Sequence, residues 1–165
     1  MEVEATGQGE RRGSRRASDL PPSEMVSFRL GEQDFCVDIM NVREIRRWTP
    51  PTVLPHTPDH VLGLINLRGA VLPVIDLARR LGIAAAEPPG RNVVIVAMLG
   101  DRVFGLVVDA VSDILTVPNR AMRPVPAVAH AGDAELIRGI ATVGERMIRI
   151  LNLGAVLPPE QGERA

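Results

Sequence analysis

The sequence carries one pattern twice, and this repetition limits the folds open to it more than any other feature. Setting Gly31 against Gly100 pairs Phe35 with Phe104, Ile39 with Val108, Val42 with Val111, Glu44 with Asp113 and Ile45 with Ile114. Setting Gly63 against Gly139 pairs Leu67 with Val143, Leu72 with Ile148, Val74 with Ile150, Asp76 with Asn152, Leu77 with Leu153 and Leu81 with Leu157. The spacing between partners is larger in the second block, which puts a longer loop, Pro118 to Gly132, in the second half. Two such matches in the same chain order argue for two copies of one unit, about residues 25–83 and about 92–158. At about 60 residues each, the units are marginal alone and are expected to pack together.

Each unit reads as mostly β. Val26, Phe28 and Leu30 alternate with polar residues, Gly31-Glu32-Gln33-Asp34 turns the chain, and Phe35 to Ile39 runs back as a hairpin. Pro50 to Pro58 excludes regular structure. A second hairpin runs from Val61 to Leu67, turns at Arg68-Gly69 and returns from Ala70 to Ile75. Pro73 cannot donate to a ladder, so it belongs at a strand edge or bulge. Leu77 to Leu81 reads as a short helix with Asp76 as N-cap and Gly82 as its stop. Pro88, Pro89 and Gly90 link the two units.

Residues 1–24 contain almost no large apolar side chain and are expected to form a disordered tail dispensable for folding. Residues 159–165 read as a flexible end. The four Arg of Arg11 to Arg16 are offset by five acids in the same tail, so a phosphate-binding arm is not the reading they favour. All 19 basic residues are Arg, but the net charge is −1, and Phe28, Phe35, Phe104 and Trp48 are the only aromatics. A nucleic-acid barrel needs a basic groove with stacking platforms, so that reading fits poorly. The longest apolar run, Val93 to Leu99, is far short of the ~20 residues that cross a bilayer, and no secretory leader is evident. The expectation is a soluble, intracellular protein that does not insert in a membrane. Cys36 reads as a small buried hydrophobe.

Catalytic constellations do not assemble. His56 and His60 are four apart with Pro58 between them and no third ligand, so no metal or other cofactor is expected. None of the serines sits on a nucleophile elbow, and a P-loop needs a Lys that is absent. Asp109 and Asp113 stand at helical spacing beside Ser112, which suggests solvated or capping acids. The chain does not read as an enzyme.

Differences between the copies point to function, because what one copy lacks the fold does not need. Arg68, at a hairpin tip, has Gly144 as its counterpart, so it is expected to act on a partner or across the junction of the units. Glu44 has Asp113 opposite it, which suggests a structural carboxylate in both copies, with a functional role as the second reading. Arg43 has only Ser112 opposite it, so an Arg68–Glu44 or Arg43–Glu44 cluster would belong to the first copy alone.

The run Val61-Leu-Gly-Leu-Ile-Asn-Leu-Arg-Gly-Ala-Val-Leu-Pro-Val-Ile-Asp-Leu77 resembles the signature hairpin of the CheW-like domain family. Val42 to Arg46, Phe104 to Asp113 and Gly139 to Met147 support the match, which covers nearly all of residues 25–158. The resemblance implies a mainly β fold of two intertwined five-stranded SH3-like barrels with a few short helices. It also implies a standalone, non-catalytic adaptor in the cytoplasm, recruited to membrane-associated receptor arrays. Its partners would be the regulatory domain of a CheA-type histidine kinase and the cytoplasmic hairpin tip of methyl-accepting chemoreceptors. Carried over by position, Val42, Glu44, Gly63, Arg68 and Ile114 match residues the family associates with receptor or kinase coupling. Two barrels side by side should leave an aliphatic groove with charges at its rim; Val42 and Ile114 are candidates to line it, with core packing as the equal alternative. A scaffold of a non-flagellar chemosensory pathway, controlling pilus motility or a second messenger, is the alternative reading.

Overall fold

Two hairpins have changed places in this fold, which is seen in a computed structural model that describes residues 21–84, 92–126 and 133–157. The first copy supplies β1 (Ser23–Leu30), β2 (Gln33–Asp38), β3 (Val42–Arg47), β4 (Val61–Leu67), β5 (Ala70–Asp76) and helix α1 (Leu77–Leu81). The second supplies β6 (Val93–Leu99), β7 (Arg102–Val108), β8 (Ala110–Val117), β9 (Met122–Arg123), β10 (Ile137–Val143), β11 (Arg146–Leu151) and helix α2 (Leu153–Val156). One sheet has the order β8-β1-β2-β11-β10-β9, and the other β3-β6-β7-β5-β4. Each copy thus gives its first hairpin to the sheet that holds the other copy's later strands. The joins are equivalent parallel pairs, β2 with β11 and β5 with β7. Neither copy can form a sheet of this order alone, which explains why two marginal units persist together.

Burial follows this exchange. One core cluster lies within the first sheet, around Met25, Cys36, Ile148 and Ile150. A second lies within the other sheet, around Leu72, Val74, Val94, Val96 and Val107. The largest cluster joins the two sheets, and Phe28, Phe35, Ile95, Phe104 and Leu106 all belong to it. Phe35 and Phe104 are both fully buried there, as the repeat requires. Phe28 stacks on Phe35 with ring centroids 5.9 Å apart, a geometry that adds to simple area burial.

Several local expectations are corrected. β1 starts at Ser23, so Ser23 and Glu24 pair with Val117 and Thr116 instead of belonging to the tail. Residues 1–20, the linker prolines, His130 and the C-terminal end lie outside the described residues. The first sheet has six strands because Met122–Arg123 adds to β10. Its counterpart in the first copy, Thr52, manages a single bridge to Leu64, since flanking prolines cannot extend a ladder. Pro73 lies in an internal strand, not at an edge or bulge. The ladder from β5 to β7 begins only at Val74, so Pro73 is not asked for the donor it lacks. Asp109 and Asp113 are not on a helix. Asp109 is buried between β7 and β8 and accepts the Gly31 N–H (2.6 Å), while Asp113 lies on β8. Helix α1 matches expectation, with Asp76 accepting the Arg79 N–H (3.2 Å) and Gly82 closing it.

Candidate partner-binding site

Glu44 lies between two arginines. Strand β3 is half-buried at Val42, Glu44 and Arg46 and exposed at Arg43, Ile45 and Arg47, the period of two expected of a strand with one face covered. Arg46 therefore shares the Glu44 side, and its Nη1 lies 3.3 Å from Glu44 Oε1. The other carboxylate oxygen, Oε2, takes a hydrogen bond from Arg68 Nη2 at the tip of the β4–β5 hairpin. That bond, with Arg46 beside it, holds the Glu44 carboxyl below its usual pKa, and Glu44 in turn raises the Arg68 guanidinium above its own. The Arg68 side chain remains largely exposed, so the pair contributes little to folding but fixes the direction of a surface guanidinium.

The tip is also unusual in its backbone. Arg68 has φ 52 and its repeat counterpart Gly144 has φ 64, both in the left-handed region. That region disfavours any residue with a side chain and suits glycine. The second residue of the turn differs, since Gly69 also has a positive φ (90) and its counterpart Glu145 does not, but at the first residue this copy places an arginine where the other places glycine, the relaxed choice. Asn66 Oδ1 accepts the Gly69 N–H (3.0 Å) and braces the turn.

Asp113 does not repeat the role of Glu44. Both β3 and β8 carry an extra residue, a β-bulge, at the same place in the repeat. In the first sheet Ser27 lies against this bulge, where its hydroxyl donates to Asp113 Oδ1 (2.6 Å) and accepts the Asp113 N–H (3.2 Å). In the second sheet the repeat puts Val96 in that place, opposite Glu44. Val96 has no hydroxyl to hold a carboxylate, so Glu44 turns to the arginines. Both acids are held within the fold, but by different partners in the two copies.

The other expected site residues do not all meet here. Arg43 projects away from Glu44 because adjacent strand residues face opposite ways, so Arg46 completes the cluster instead. Gly63 is buried with a positive φ, and a Cβ there would lie 2.1 Å from the Thr52 carbonyl oxygen. Its place is explained by the close crossing of two backbones, not by a surface it presents. Val42 is half-buried and packs on the shared core, while Ile114 is 58% exposed on β8. The two diverge, one toward packing and one toward solvent.

A cleft between the sheets has the composition expected of a groove but is lined by other residues. Val37, Leu99, Ile150, Leu151 and Leu153 form aliphatic walls, and Asp38, Asn41, Arg138 and Asn152 supply polar groups. Its volume is about 210 Å³. A second, more open depression lies among Leu81, Ile83, Ile137 and Arg149, whose guanidinium lies over the Phe35 ring. Neither Val42 nor Ile114 lines either cavity. Arg46 was legible in principle, two residues from Glu44 on one strand face, whereas the cleft draws on segments that no local pattern connects. Cys36 is buried, and burial pushes its thiol pKa up to about 11, so it is not a nucleophile. No cluster of three or more His, Cys, Asp or Glu suited to a metal occurs among the described residues. No helix among them is long and apolar enough to cross a membrane.

Comparison with known proteins agrees with this architecture. A family model described as the CheW-like domain matches residues 24–161. The chain is 54% identical to "Chemotaxis protein CheW" of Rhizobium meliloti (strain 1021), over 86% of this chain and 92% of that protein. It is 35% identical to the protein of the same name from Klebsiella aerogenes, over 90% of this chain and 89% of the relative. Among solved structures, the scaffolding protein TtCheW from Thermoanaerobacter tengcongensis superposes with a TM-score of 0.77 at 32% identity, covering 84% of this chain and 90% of that one. These relatives do not favour the non-flagellar or nucleic-acid readings.

Proposed function

Because this chain belongs to the CheW-like domain family and is a coupling scaffold of chemotaxis signalling, we propose that it acts as a non-catalytic adaptor between chemoreceptors and a CheA-type histidine kinase. Arg68 is the observation that carries this reading. A side chain kept in a left-handed turn where its repeat twin is glycine, and oriented by a carboxylate at the surface, serves a contact outside the fold. The Arg68–Glu44–Arg46 cluster, with exposed Ile45 and Ile114 on the two equivalent edge strands, forms the coupling surface. The cleft between the sheets receives side chains from the helical hairpin tip of the receptor, the kind of apolar seat in which an amphipathic helix docks. The kinase's regulatory domain docks on the sheet edges. The protein works in the cytoplasm and is drawn to receptor arrays by these two contacts.

The test is a co-sedimentation experiment with receptor-bearing vesicles and the kinase from the same genome. The adaptor is expected to carry kinase to the vesicles, with each partner bound in the presence of the other. Mutually exclusive binding would contradict a bridging role.

A further inference from the structure

Arg149 is a half-buried cation without an acid. Its guanidinium carbon lies 5.5 Å from the centre of the Phe35 ring, and its side chain has no hydrogen-bond or ion-pair partner among the described residues. Asp34, next to Phe35 on β2, does not serve it. Adjacent strand residues face opposite ways, and Asp34 is already shared by Arg29 (3.8 Å) and Arg146 (3.6 Å). The fold does not need a cation here, because the counterpart of Arg149 in the first copy is Pro73. The guanidinium forms one wall of the open depression described above, whose volume is about 260 Å³. Phe35, Leu81, Ile83 and Ile137 give it apolar walls, and Gln33 adds an amide. Stacking on the ring holds the planar guanidinium in place, so its donors are oriented before any ligand arrives. A hollow of this size with apolar walls and one unpaired guanidinium is the complement of a carboxylate carried on a short apolar body.

We propose that this depression binds a small amphiphilic carboxylic acid of the medium-chain fatty acid class, with its carboxylate on Arg149 and its apolar body against Phe35, Leu81, Ile83 and Ile137. The site shares no residue with the cleft between the sheets or with the Arg68–Glu44–Arg46 cluster. Its place in the fold gives the ligand leverage. Phe35 and Arg149 are register partners in the parallel pair of β2 with β11, one of the two joins between the copies. Leu81 ends helix α1, which directly follows the β4–β5 hairpin that carries Arg68. A bound acid therefore ties the helix of the first copy to a strand of the second, and stabilises the folded chain by mass action.

The experiment titrates the full chain with octanoate, and with octan-1-ol as the same body without charge, following the Ile and Leu methyl groups by NMR and the melting temperature in parallel. The expected result is saturable binding of one octanoate per chain, shifts at Ile83 and Ile137, and a raised melting temperature. Arg149→Met keeps an apolar stem over Phe35 and removes the charge. It should weaken octanoate about tenfold and leave octan-1-ol unchanged, while Arg149→Lys recovers part of the loss. Melting curves of both variants without ligand show whether each is folded. Equal octanoate affinity in a folded Arg149→Met protein would overturn the proposal. So would shifts centred on Leu99 and Leu151, which belong to the other cleft, or a melting temperature lowered by octanoate. An acetylated tripeptide ending in leucine that binds more tightly than octanoate would give the seat to a peptide end instead of a free acid. A Glu87→Gln variant that binds octanoate more tightly than the parent would give it to an acid of this chain.

Discussion

Arg68 has a positive φ, as does Gly144, its counterpart in the second copy, and turns its guanidinium onto Glu44. The two hairpin tips share a positive φ at this position, differ at the next, where Gly69 has φ 90 and Glu145 has no positive φ, and differ in what they present. Charge at the first tip is held by a carboxylate that has no equivalent partner in the second copy, where Asp113 bonds Ser27. On the coupling proposal, function was added to one half of a duplicated fold at positions where the other half records what the fold alone requires.

Gly63 and Gly144 should respond differently to alanine. At Gly63 the new Cβ would meet a backbone carbonyl that cannot move aside, so Gly63→Ala should cost on the order of 3 kcal/mol and lower the melting temperature sharply. At Gly144 nothing lies within 4 Å, and only the left-handed conformation opposes a side chain, so the loss should be about 1 kcal/mol. Denaturant unfolding of both variants checks this. Equal and small losses would mean that the crossing at Gly63 is loose.

Arg68 should control the ionisation of Glu44. The folded carboxylate has a depressed pKa, so its ion pair is complete above the ordinary carboxylate range and is lost as pH falls through the depressed value. Removing the first and largest cause, in Arg68→Ala, should raise the Glu44 pKa, with the remaining Arg46 keeping part of the depression. An NMR titration of the side-chain carboxyl carbon reads this directly. An unchanged pKa would show that the pair does not persist in solution.

Ser27→Ala should loosen the first sheet at β8. The fully buried hydroxyl holds Asp113 at the bulge. Its loss leaves the Asp113 amide and carboxylate without that partner, at a cost of about 1–3 kcal/mol. Hydrogen exchange should accelerate along β8 and remain slow along β3, whose bulge has no such serine. Uniform acceleration in both strands would mean that the bond does not act locally.

Val42 and Ile114 should separate. Val42→Ser removes apolar area packed on the shared core and should cost about 1 kcal/mol. Ile114→Ser, at an exposed position, should leave stability nearly unchanged. Binding of a partner should weaken with Ile114→Ser alone in the absence of any thermal shift. A thermal shift as large as that of Val42→Ser would place Ile114 in the core.

Much of the fold was legible because burial repeats with the strand period. Phe35 and Phe104, the two signature hairpins and the Asp76-capped helix are all local patterns that the duplication lets one read twice. The residues of the Arg68–Glu44 pair were legible as differences between copies. What stayed hidden depends on distant chain segments. The hold of Ser27 on Asp113 and the cleft at Leu99 and Leu151 arise only once the hairpins are exchanged, and the close crossing of Gly63 and Thr52 arises only when the proline-rich segment folds back on β4. Arg43 stays out of the Glu44 cluster because the strand's alternation outweighs sequence adjacency. The acid of Asp113 misleads for a related reason, since similar residues at equivalent sites meet different neighbours, Ser27 in one sheet and Val96 in the other.

The central claim is that Arg68 is kept for coupling and not for folding, and Arg68→Gly tests it most directly. Glycine adopts a positive φ more readily than arginine and stands at the equivalent position of the second copy, so the variant should melt within about 1 kcal/mol of the parent. In vesicles bearing receptor with the CheA-type kinase, it should nevertheless fail to bring kinase activity under receptor control. Full receptor-dependent control by a folded Arg68→Gly protein, or loss of control explained by unfolding, would contradict the account.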